Sequence, residues 1–209
     1  MKRVYFVRHG ETEGNINGIS QDEFTPLTAN GRVQAQVLAK RVAQLGVGKI
    51  YTSHMVRAVD TGKYIGEALG LVTTPSPLFR EWMTPKSVRG KQYNSDEYKR
   101  WRESLFEHYH ESDWRYEDAE NFSDLEQRLH EVTKLLEEDD SESILVVSHG
   151  KFMRLFLAFI LNGKHITPAL HMQIDKTTSI NNTGITLFDV NEKEWCLITW
   201  NDRAHFADN

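Results

Sequence analysis

The sequence predicts an α/β fold in which a mostly parallel central sheet carries helices on both faces. Short runs of β-branched and aromatic residues alternate with runs that have apolar residues at helical spacing, the pattern of strands joined by crossover helices. Two of the strand-like runs end in a His-Gly dipeptide, at positions 9–10 and 149–150. Because ligands bind outside the carboxyl ends of the strands in such sheets, the two dipeptides also locate a candidate site.

The N-terminal part of the chain contains two strand-like runs, each followed by a helix-like run. The first strand-like run leads into a tight turn that Gly10 permits. Cap-forming residues stand before both helix-like runs, and a glycine stands after each of them. The predicted elements are a strand over residues 2–8, a helix from Thr28 to Gly46, a strand over Lys49–Thr52, and a helix that Ser53 caps and that ends near Gly70.

The C-terminal part contains a continuous apolar run, Ser143–Val147, of the kind found in strands that are buried on both faces. A strongly apolar helix-like run follows it. The predicted elements are helices over Ser95–Tyr109 and Ser123–Glu138, the strand Ser143–Val147, a helix over residues 152–161 that stops at Gly163, and two late strands, Ile185–Val190 and Trp195–Trp200.

Length and composition predict a single domain over residues 1–209. A chain of 209 residues can bury one well-filled core, and 39% hydrophobic with 26% charged residues is ordinary for a globular domain. Residues from about 82 to 142 differ in character, since they combine Trp82, Trp101 and Trp114 with many charges. We expect this segment to form a helical, lid-like insertion in the domain.

The charge balance argues against a nucleic-acid or membrane partner. The chain has 25 Lys and Arg against 30 Asp and Glu, a formal charge of −5, whereas binding to nucleic acid or anionic lipid depends on basic residues. The single cysteine, Cys196, excludes an intrachain disulfide and a cysteine-based zinc site. The first residues turn polar too soon for a signal peptide, and no apolar run reaches the roughly 18 residues of a membrane span. We therefore expect a cytoplasmic protein.

The cluster around the first His-Gly dipeptide has the residue types that phosphoryl transfer needs. An imidazole such as that of His9 is nucleophilic at neutral pH without a separate base. The planar guanidinium of Arg8 matches two phosphate oxygens, and Asn15 offers an amide donor. Gly10 lets the chain turn sharply beside the ring.

Three further residues are expected to complete a phosphate pocket. Arg57 supplies a second guanidinium, and His149 supplies a hydrogen bond to the transferring group, whose charge needs preorganised donors. Glu81 stands beside Trp82, and an apolar neighbour favours the protonated carboxyl group that a leaving alkoxide requires. Any one of these residues alone is more often structural, but their combination indicates catalysis.

This set of residues resembles the histidine phosphatase superfamily, in its phosphoglycerate mutase-like branch. The matching positions run in order from residue 2 to residue 154. They are Arg8 to Thr12 with Asn15, Leu27-Thr28, Gly31, Gln34-Ala35, Thr52-Ser53, Arg57-Ala58 with Thr61, Arg80-Glu81, and Val147 to Gly150 with Arg154. The resemblance implies a three-layer α/β/α sandwich that uses no metal and no cofactor.

The resemblance also implies a role for each matching side chain. His9 would be the phosphorylated nucleophile and Glu81 the proton donor. The phosphate would be held by Arg8, Asn15, Arg57, His149 and Gly150. After Glu81 the sequence departs from the Gly-x-Trp/Phe-Glu-Gly segment that is usual in the family. Asp96 and Glu120 therefore remain alternative proton donors.

The sequence favours a phosphatase that hydrolyses small phosphate monoesters through a phosphohistidine. Two alternatives share the same pocket, namely a phosphoglycerate-type mutase and a module that binds phosphorylated ligands without turnover. Metal-dependent hydrolysis is a third alternative. Thiolate phosphatase chemistry is excluded because no arginine stands six positions after Cys196, and no Gly-x-x-x-x-Gly-Lys-Ser/Thr loop is present for nucleoside triphosphates.

Overall fold

A computed structural model describes residues 1–108 and 110–206, and its centre is a six-stranded sheet with the strand order β3-β2-β4-β1-β5-β6. The strands are β1 (Lys2–Arg8), β2 (Lys49–Ser53), β3 (Thr73–Ser76), β4 (Ser143–Ser148), β5 (Ile185–Asn191) and β6 (Glu194–Asp202). The helices are α1 (Glu13–Asn17), α2 (Ala29–Val42), α3 (Val56–Leu69), α4 (Asp96–Glu107), α5 (Phe122–Glu138), α6 (Gly150–Leu161) and α7 (Pro168–Thr177). Three short 3₁₀ turns lie at Pro77–Phe79, Lys86–Val88 and Ala204–Phe206.

The sheet is mostly parallel, which confirms the predicted fold class. Strands β3, β2, β4 and β1 run parallel, whereas β5 is antiparallel to β1 and β6 is antiparallel to β5. Strands β1 and β4 are neighbours, and Arg8 is the register partner of Ser148. The residues that follow, His9 and His149, therefore leave the same edge of the sheet side by side.

Helices cover both faces of the sheet, so the fold has three layers. Tyr5 and Val7 of β1 face a cluster of apolar side chains built with α2 and α3. Val4 and Phe6, which alternate with them, face a larger cluster built with α5 and α6. Each large apolar side chain buried in this way contributes roughly 1.5–3 kcal/mol relative to exposure. Both faces of β1 are thus dry, as its near-continuous apolar sequence requires.

Residues 83–121 contribute little to these two clusters. Val88, Tyr98 and Trp101 form a small cluster of their own, with Trp101 fully buried. In contrast, α5 turns its apolar face toward the sheet and joins the larger cluster through Leu129 and Val132. Helix α6 is the most apolar of the seven. None of the helices in the described part of the chain combines the length and hydropathy that crossing a membrane requires.

Most predicted elements are confirmed, and two predicted details are wrong. Ser53 is the last residue of β2, and its Oγ accepts the N–H of Met55 (3.2 Å), which is the residue at the N-cap position of α3. Helix α2 ends at Val42 rather than at Gly46, because bonds between residues three apart tighten the chain into a turn there. The last residue of the helix predicted over Ser95–Tyr109 lies outside the described residues.

Three elements were not predicted, the first two for a physical reason and the third despite a signal in the sequence. Helix α1 spans five residues, too few to show a helical period. Strand β3 is a short, polar edge strand with a proline in it. Helix α7 begins with the signals of a helix N-terminus, since the side chain of Thr167 caps it and Pro168 is its first residue.

Candidate active site

The two histidines that follow β1 and β4 lie against each other. Their ring centroids are 5.1 Å apart with the ring planes at 57°. The backbone N–H of His9 donates to the carbonyl oxygen of Ser148 (3.0 Å), which ties the two strand ends together. His9 is 3% exposed and His149 is fully buried. Neighbouring parallel strands thus bring together residues that are 140 positions apart.

His9 is held as a neutral imidazole with a defined tautomer. Its Nδ1 lies 2.7 Å from the carbonyl oxygen of Gly10, and because a carbonyl only accepts, Nδ1 carries the proton. The other nitrogen, Nε2, therefore keeps its lone pair. Burial, followed by the positive charges of Arg57 and Arg8, lowers the pKa of His9 well below its usual value. This is the state that a nucleophilic histidine needs.

Gly10 is required by a close approach of two backbone segments. A Cβ at this position would stand 2.4 Å from the carbonyl oxygen of Gly31, at the start of α2. The Gly10 N–H donates to Oγ1 of Thr61 (3.0 Å), which in turn donates to the carbonyl oxygen of Arg57 (2.7 Å). The turn after His9 is therefore fastened to both α2 and α3.

Arg8 and Arg57 place two buried guanidinium groups at the site. Arg8 donates through Nη1 to the carbonyl oxygen of Ile180 (2.8 Å), and Arg57 donates through Nη1 to that of Asp22 (2.6 Å). The Nε atoms of both are buried without a partner. Burial lowers the pKa of Arg8, and burial lowers that of Arg57 to about 10. A guanidinium group in a protein nevertheless keeps its charge at neutral pH. Buried cations without a carboxylate contact favour an anionic ligand.

His149 stands at the N-cap position of α6, where its side chain makes no capping bond. Both of its ring nitrogens are buried without a hydrogen-bond partner. Burial, and then the charges of Arg57 and neighbouring groups, lower the pKa of His149 well below its usual value. The ring lies behind His9 and is absent from the lining of the cavity described below. The polar atoms of His149 are therefore available to hydrogen-bond a ligand.

Glu81 lies at the N-terminus of α6. Its Oε1 accepts the backbone N–H groups of Trp82 (3.0 Å) and Phe152 (2.8 Å), and its Oε2 accepts that of Lys151 (3.2 Å). A carboxylate from a distant segment thus takes the place of a capping side chain on α6. Backbone hydrogen bonds, rather than the indole of Trp82 alone, form the surroundings of this carboxyl group.

The two alternative proton donors lie elsewhere. Asp96 is an exposed residue in the first turn of α4. Glu120 is buried between two arginines, with Oε2 2.9 Å from Nη2 of Arg128 and Oε1 bonded to Arg80. Neither carboxyl group lines the cavity that contains His9, whereas Glu81 does.

Asn15 is oriented by a residue that the sequence did not reveal. The Oδ1 atom of Asn15 accepts the backbone N–H of Thr12 (3.2 Å) and Nδ2 of Asn182 (3.0 Å). The same Nδ2 atom also donates to the carbonyl oxygen of His9 (2.9 Å). Because Oδ1 is occupied, the amide nitrogen of Asn15 is the group left to contact a ligand. Asn182 follows no recognisable motif, so its part in the site is visible only in three dimensions.

A cavity of about 680 Å³ opens above these side chains. From the predicted set, its wall includes Arg8, His9, Asn15, Arg57, Glu81 and Gly150. Gly150 begins α6, and a Cβ there would stand 3.5 Å from Nε of Arg8. The outer wall adds basic, acidic and aromatic side chains, among them Arg89, Lys99, Arg102, Lys151, Arg154, Asp22, Glu23, Glu103, Phe24, Tyr93 and Tyr98. No cluster of three or more metal-ligating side chains occurs among the described residues.

Comparison with known families matches residues 4–203 to the histidine phosphatase superfamily (branch 1). Among curated relatives, a probable phosphoglycerate mutase GpmB of Escherichia fergusonii is 30% identical over 203 residues, covering 96% of this chain and 90% of the relative. A probable phosphoglycerate mutase GpmB of Yersinia enterocolitica is 29% identical over 213 residues, covering 98% and 95%.

Solved structures share the fold. YhfR of Bacillus stearothermophilus superposes with a TM-score of 0.81 at 24% identity, covering 98% of this chain and 99% of that one. A mycobacterial glucosyl-3-phosphoglycerate phosphatase, solved with VO3, gives 0.80 at 22% identity, covering 97% and 100%. A phosphoserine phosphatase of Entamoeba histolytica, solved with phosphoserine, gives 0.79 at 20% identity, covering 98% and 99%.

Proposed function

The chain belongs to branch 1 of the histidine phosphatase superfamily, and from this premise we propose that it is a phosphatase that hydrolyses phosphate monoesters of small metabolites through a phosphohistidine on His9. One observation carries the proposal. The neutral ring of His9 donates through Nδ1 to Gly10 and so leaves the lone pair of Nε2 free at a cavity lined by two guanidinium groups that form no ion pair with a carboxylate of the described residues.

In the first step, Nε2 of His9 attacks phosphorus in line with the ester oxygen. The nitrogen–phosphorus bond forms as the phosphorus–oxygen bond to the alcohol breaks. The leaving alkoxide takes a proton from Glu81, whose Oε2 accepts one N–H bond against two for Oε1 and is thus the oxygen with room for a proton. The Nδ1–H bond to Gly10 keeps the ring oriented throughout.

In the second step, a water molecule attacks phosphorus on the face that the alcohol has left. Glu81, now a carboxylate, takes the proton of that water. The nitrogen–phosphorus bond breaks, inorganic phosphate leaves, and both His9 and Glu81 return to their starting states. The cycle is balanced without a metal or an organic cofactor, and we expect chelators to leave turnover unchanged.

Arg8, Arg57, Asn15 and His149 are proposed to hold the transferring group. Charge on the phosphoryl oxygens is greatest in the transition state, where preorganised donors in a dry site act most strongly. The Nε–H groups of both arginines and the single N–H of the neutral His149 ring are donors that the protein itself leaves unused. Gly150 admits the phosphate beside Arg8, because it places no side chain there.

The comparisons support a small phosphate ester as the partner. The structural neighbours named above include a phosphoserine phosphatase with phosphoserine, and the same protein has been solved with 3-phosphoglyceric acid. The single cysteine fits a reducing compartment, and we propose that the enzyme acts in the cytoplasm.

A phosphoglycerate-type mutase is the second candidate, because the curated relatives carry that description. A mutase must keep water away from its phosphohistidine. Here the outer cavity wall includes Phe24, which is 70% exposed, so the mouth of the cavity is open to water, and this supports hydrolysis. Release of inorganic phosphate from p-nitrophenyl phosphate without a bisphosphate primer distinguishes the two activities. Transfer that depends on a primer would instead establish the mutase.

The proposal is tested by trapping the intermediate. Brief exposure to a radiolabelled phosphate ester, followed by denaturation, should leave phosphate on the protein that is labile to acid and stable to base. The His9→Ala variant should carry no label and show no turnover while its circular dichroism matches the parent. Turnover by His9→Ala would contradict the proposal. Binding of phosphate esters without either label or turnover would identify a binding module.

A further inference from the structure

Lys151 places an enclosed ammonium group beside the proposed site. It is the second residue of α6, directly after Gly150, and its side chain lines the same cavity as His9. Its Nζ atom lies 5.8 Å from the ring centroid of Trp82, 5.7 Å from that of Tyr98 and 5.1 Å from that of Trp101. Three aromatic faces therefore surround this charge.

The ammonium group has unused hydrogen-bonding capacity. An ammonium has three N–H donors, and among the described residues Nζ of Lys151 forms a single hydrogen bond, to the phenolic oxygen of Tyr98 (3.1 Å). No carboxylate of the described residues lies within salt-bridge distance of Nζ. Burial lowers the pKa of Lys151, but Tyr98, Glu81 and Tyr93 raise it by more, so the group stays charged. A partly buried cation with free donors and no counter-ion favours a ligand that supplies the negative charge.

The wall of the larger cavity, to which Lys151 belongs, carries seven Arg and Lys side chains against four Asp and Glu side chains among the described residues. Arg102 and Arg154 line this cavity together with Lys151, and all three lower the pKa of the buried ring of His171. Asp175 is the carboxylate that acts on the same ring, and it is held by Nη1 of Arg154 (3.4 Å). The whole chain has a formal charge of −5, so this local excess of positive charge indicates a site for an anionic ligand.

The ammonium group of Lys151 lies close to the residues proposed to carry out the reaction. Its backbone N–H donates to Oε2 of Glu81, so the ammonium belongs to the helical turn that holds the proposed proton donor. Lys151 also lines a smaller cavity of about 100 Å³ between α4, α6 and α7, and it therefore lies at the junction of the two cavities. A group bound there would be part of the alcohol that leaves.

We propose that Lys151 binds a second anionic group of the substrate, so that the preferred substrates are small phosphate esters whose alcohol portion carries a carboxylate or a second phosphate. The proposal rests on the proposed function, and it adds the substrate class and a residue that determines specificity.

The test compares substrates that differ in this group alone. 3-Phosphoglycerate and glycerol 3-phosphate differ by a carboxylate in place of a hydroxymethyl group, and fructose 1,6-bisphosphate and fructose 6-phosphate differ by one phosphate. The parent enzyme should favour the more anionic member of at least one pair by tenfold or more in kcat/KM. Lys151→Met should lower that preference at least tenfold, mainly through KM, and Lys151→Arg should restore part of it.

Lys99→Met is the matched control, because Lys99 is an exposed lysine of α4 that lines the same cavity. It should change the preference by less than threefold. The proposal is overturned if the parent shows no preference in either pair, if Lys151→Met lowers kcat/KM equally for both members of a pair, or if Lys99→Met has the same effect. Failure of the proposed function would appear differently, as absence of phosphohistidine and of p-nitrophenyl phosphate hydrolysis in the parent.

Discussion

The ring of His9 shows how a single side chain receives its chemical state from its surroundings. Its Nδ1–H bond to the next carbonyl group selects the tautomer, and burial beside two guanidinium groups keeps the ring neutral. The same guanidinium groups are the natural partners of a phosphate. The positive charge that disfavours protonation of His9 therefore also attracts the substrate.

We predict that His9 and His149 do not titrate in the usual range of histidine. Burial and neighbouring positive charges lower the pKa of both, so the ring ¹⁵N resonances of the folded protein should stay constant from about pH 8 to pH 6, across the reference value of about 6.5. Spectra of His9→Ala and His149→Ala assign the signals. Titration near pH 6.5 in the folded protein would contradict the described environment, whereas the urea-unfolded protein should titrate there.

Loss of one phosphate donor should slow the reaction without unfolding the protein. Arg57→Ala removes a preorganised charge, and we expect kcat/KM for p-nitrophenyl phosphate to fall roughly 10²–10³-fold, the range seen for such donors. Arg57→Lys should recover little, because a point charge does not reproduce the planar fork. A fall of less than tenfold in Arg57→Ala, with circular dichroism unchanged, would remove Arg57 from the phosphate site.

The role of Glu81 is tested by the leaving group. Glu81→Gln cannot supply a proton, so hydrolysis of alkyl phosphates should slow far more than that of p-nitrophenyl phosphate, whose phenolate leaves without protonation. The measurement is kcat/KM for both ester classes in parent and variant. Equal losses on both would show that another group donates the proton.

At the scale of secondary-structure elements, the site depends on a tight junction between the turn after β1 and the start of α2. A Cβ at Gly31 would stand 2.1 Å from the carbonyl oxygen of Glu11, so the backbone must move to admit it. Thr28 fixes the position of α2, since its Oγ1 accepts the Gly31 N–H (2.9 Å) and donates to Oε1 of Glu11 (2.8 Å). The N-terminal cap of α2 and the turn that follows His9 are therefore held together by the same hydrogen bonds.

We predict that Gly31→Ala lowers the free energy of unfolding by about 2–3 kcal/mol, as overpacking commonly does, and lowers kcat as well. Gly48→Ala is the matched control, because the nearest atom to its added Cβ is 3.7 Å away and the contact is ordinary. That variant should be as stable as the parent or more stable by about 0.4–1 kcal/mol. Urea unfolding measures both, and equal stability of the two variants would contradict the tight junction.

At the scale of the whole molecule, buried histidines make stability depend on pH. Burial lowers the pKa of His171 to about 4, with Asp175 opposing the shift and the charges of Lys151, Arg154 and Arg102 adding to it. As pH falls from about 6.5 to 4, the unfolded chain gains a proton that the folded chain does not. The free energy of unfolding therefore decreases over that range, and His9 and His149 act in the same direction.

We predict that urea unfolding at pH 7, 6 and 5 gives a stability that decreases steadily toward acid. In His171→Gln the decrease should be smaller, by about 1 kcal/mol for each pH unit, since one proton is no longer involved. His165→Gln is the control, because the side chain of His165 is 71% exposed and its surroundings change little on unfolding. Identical slopes in the parent and His171→Gln would contradict the prediction.

The extent of one domain over residues 1–209 and the lid-like insertion at about 82–142 stay predictions. The packing of the described residues shows which helix of this segment could belong to a lid. Helix α5 faces the sheet, whereas α4 and its small cluster with Trp101 border the cavity. We propose that the lid-like part is the segment around α4, before Asn121 caps α5.

The sequence by itself determined five of the six strands in the described sheet, the helices α2 to α6 and the fold class, because these follow from local periodicity and from residues that cap or break helices. It also singled out His9 and His149, since both stand at the ends of apolar strands. The first strand and the run Ser143–Val147 are confirmed almost to the residue.

Only the tertiary structure decided which polar groups meet. Register between β1 and β4 brings His9 to His149, and a loop far along the chain supplies Asn182 to orient Asn15. The structure also distinguishes Glu81 from Glu120, because the carboxylate of Glu120 is bonded to two arginines and does not line the cavity. Such contacts join residues tens to hundreds of positions apart, and their free energy depends on burial and on partners that no local pattern encodes.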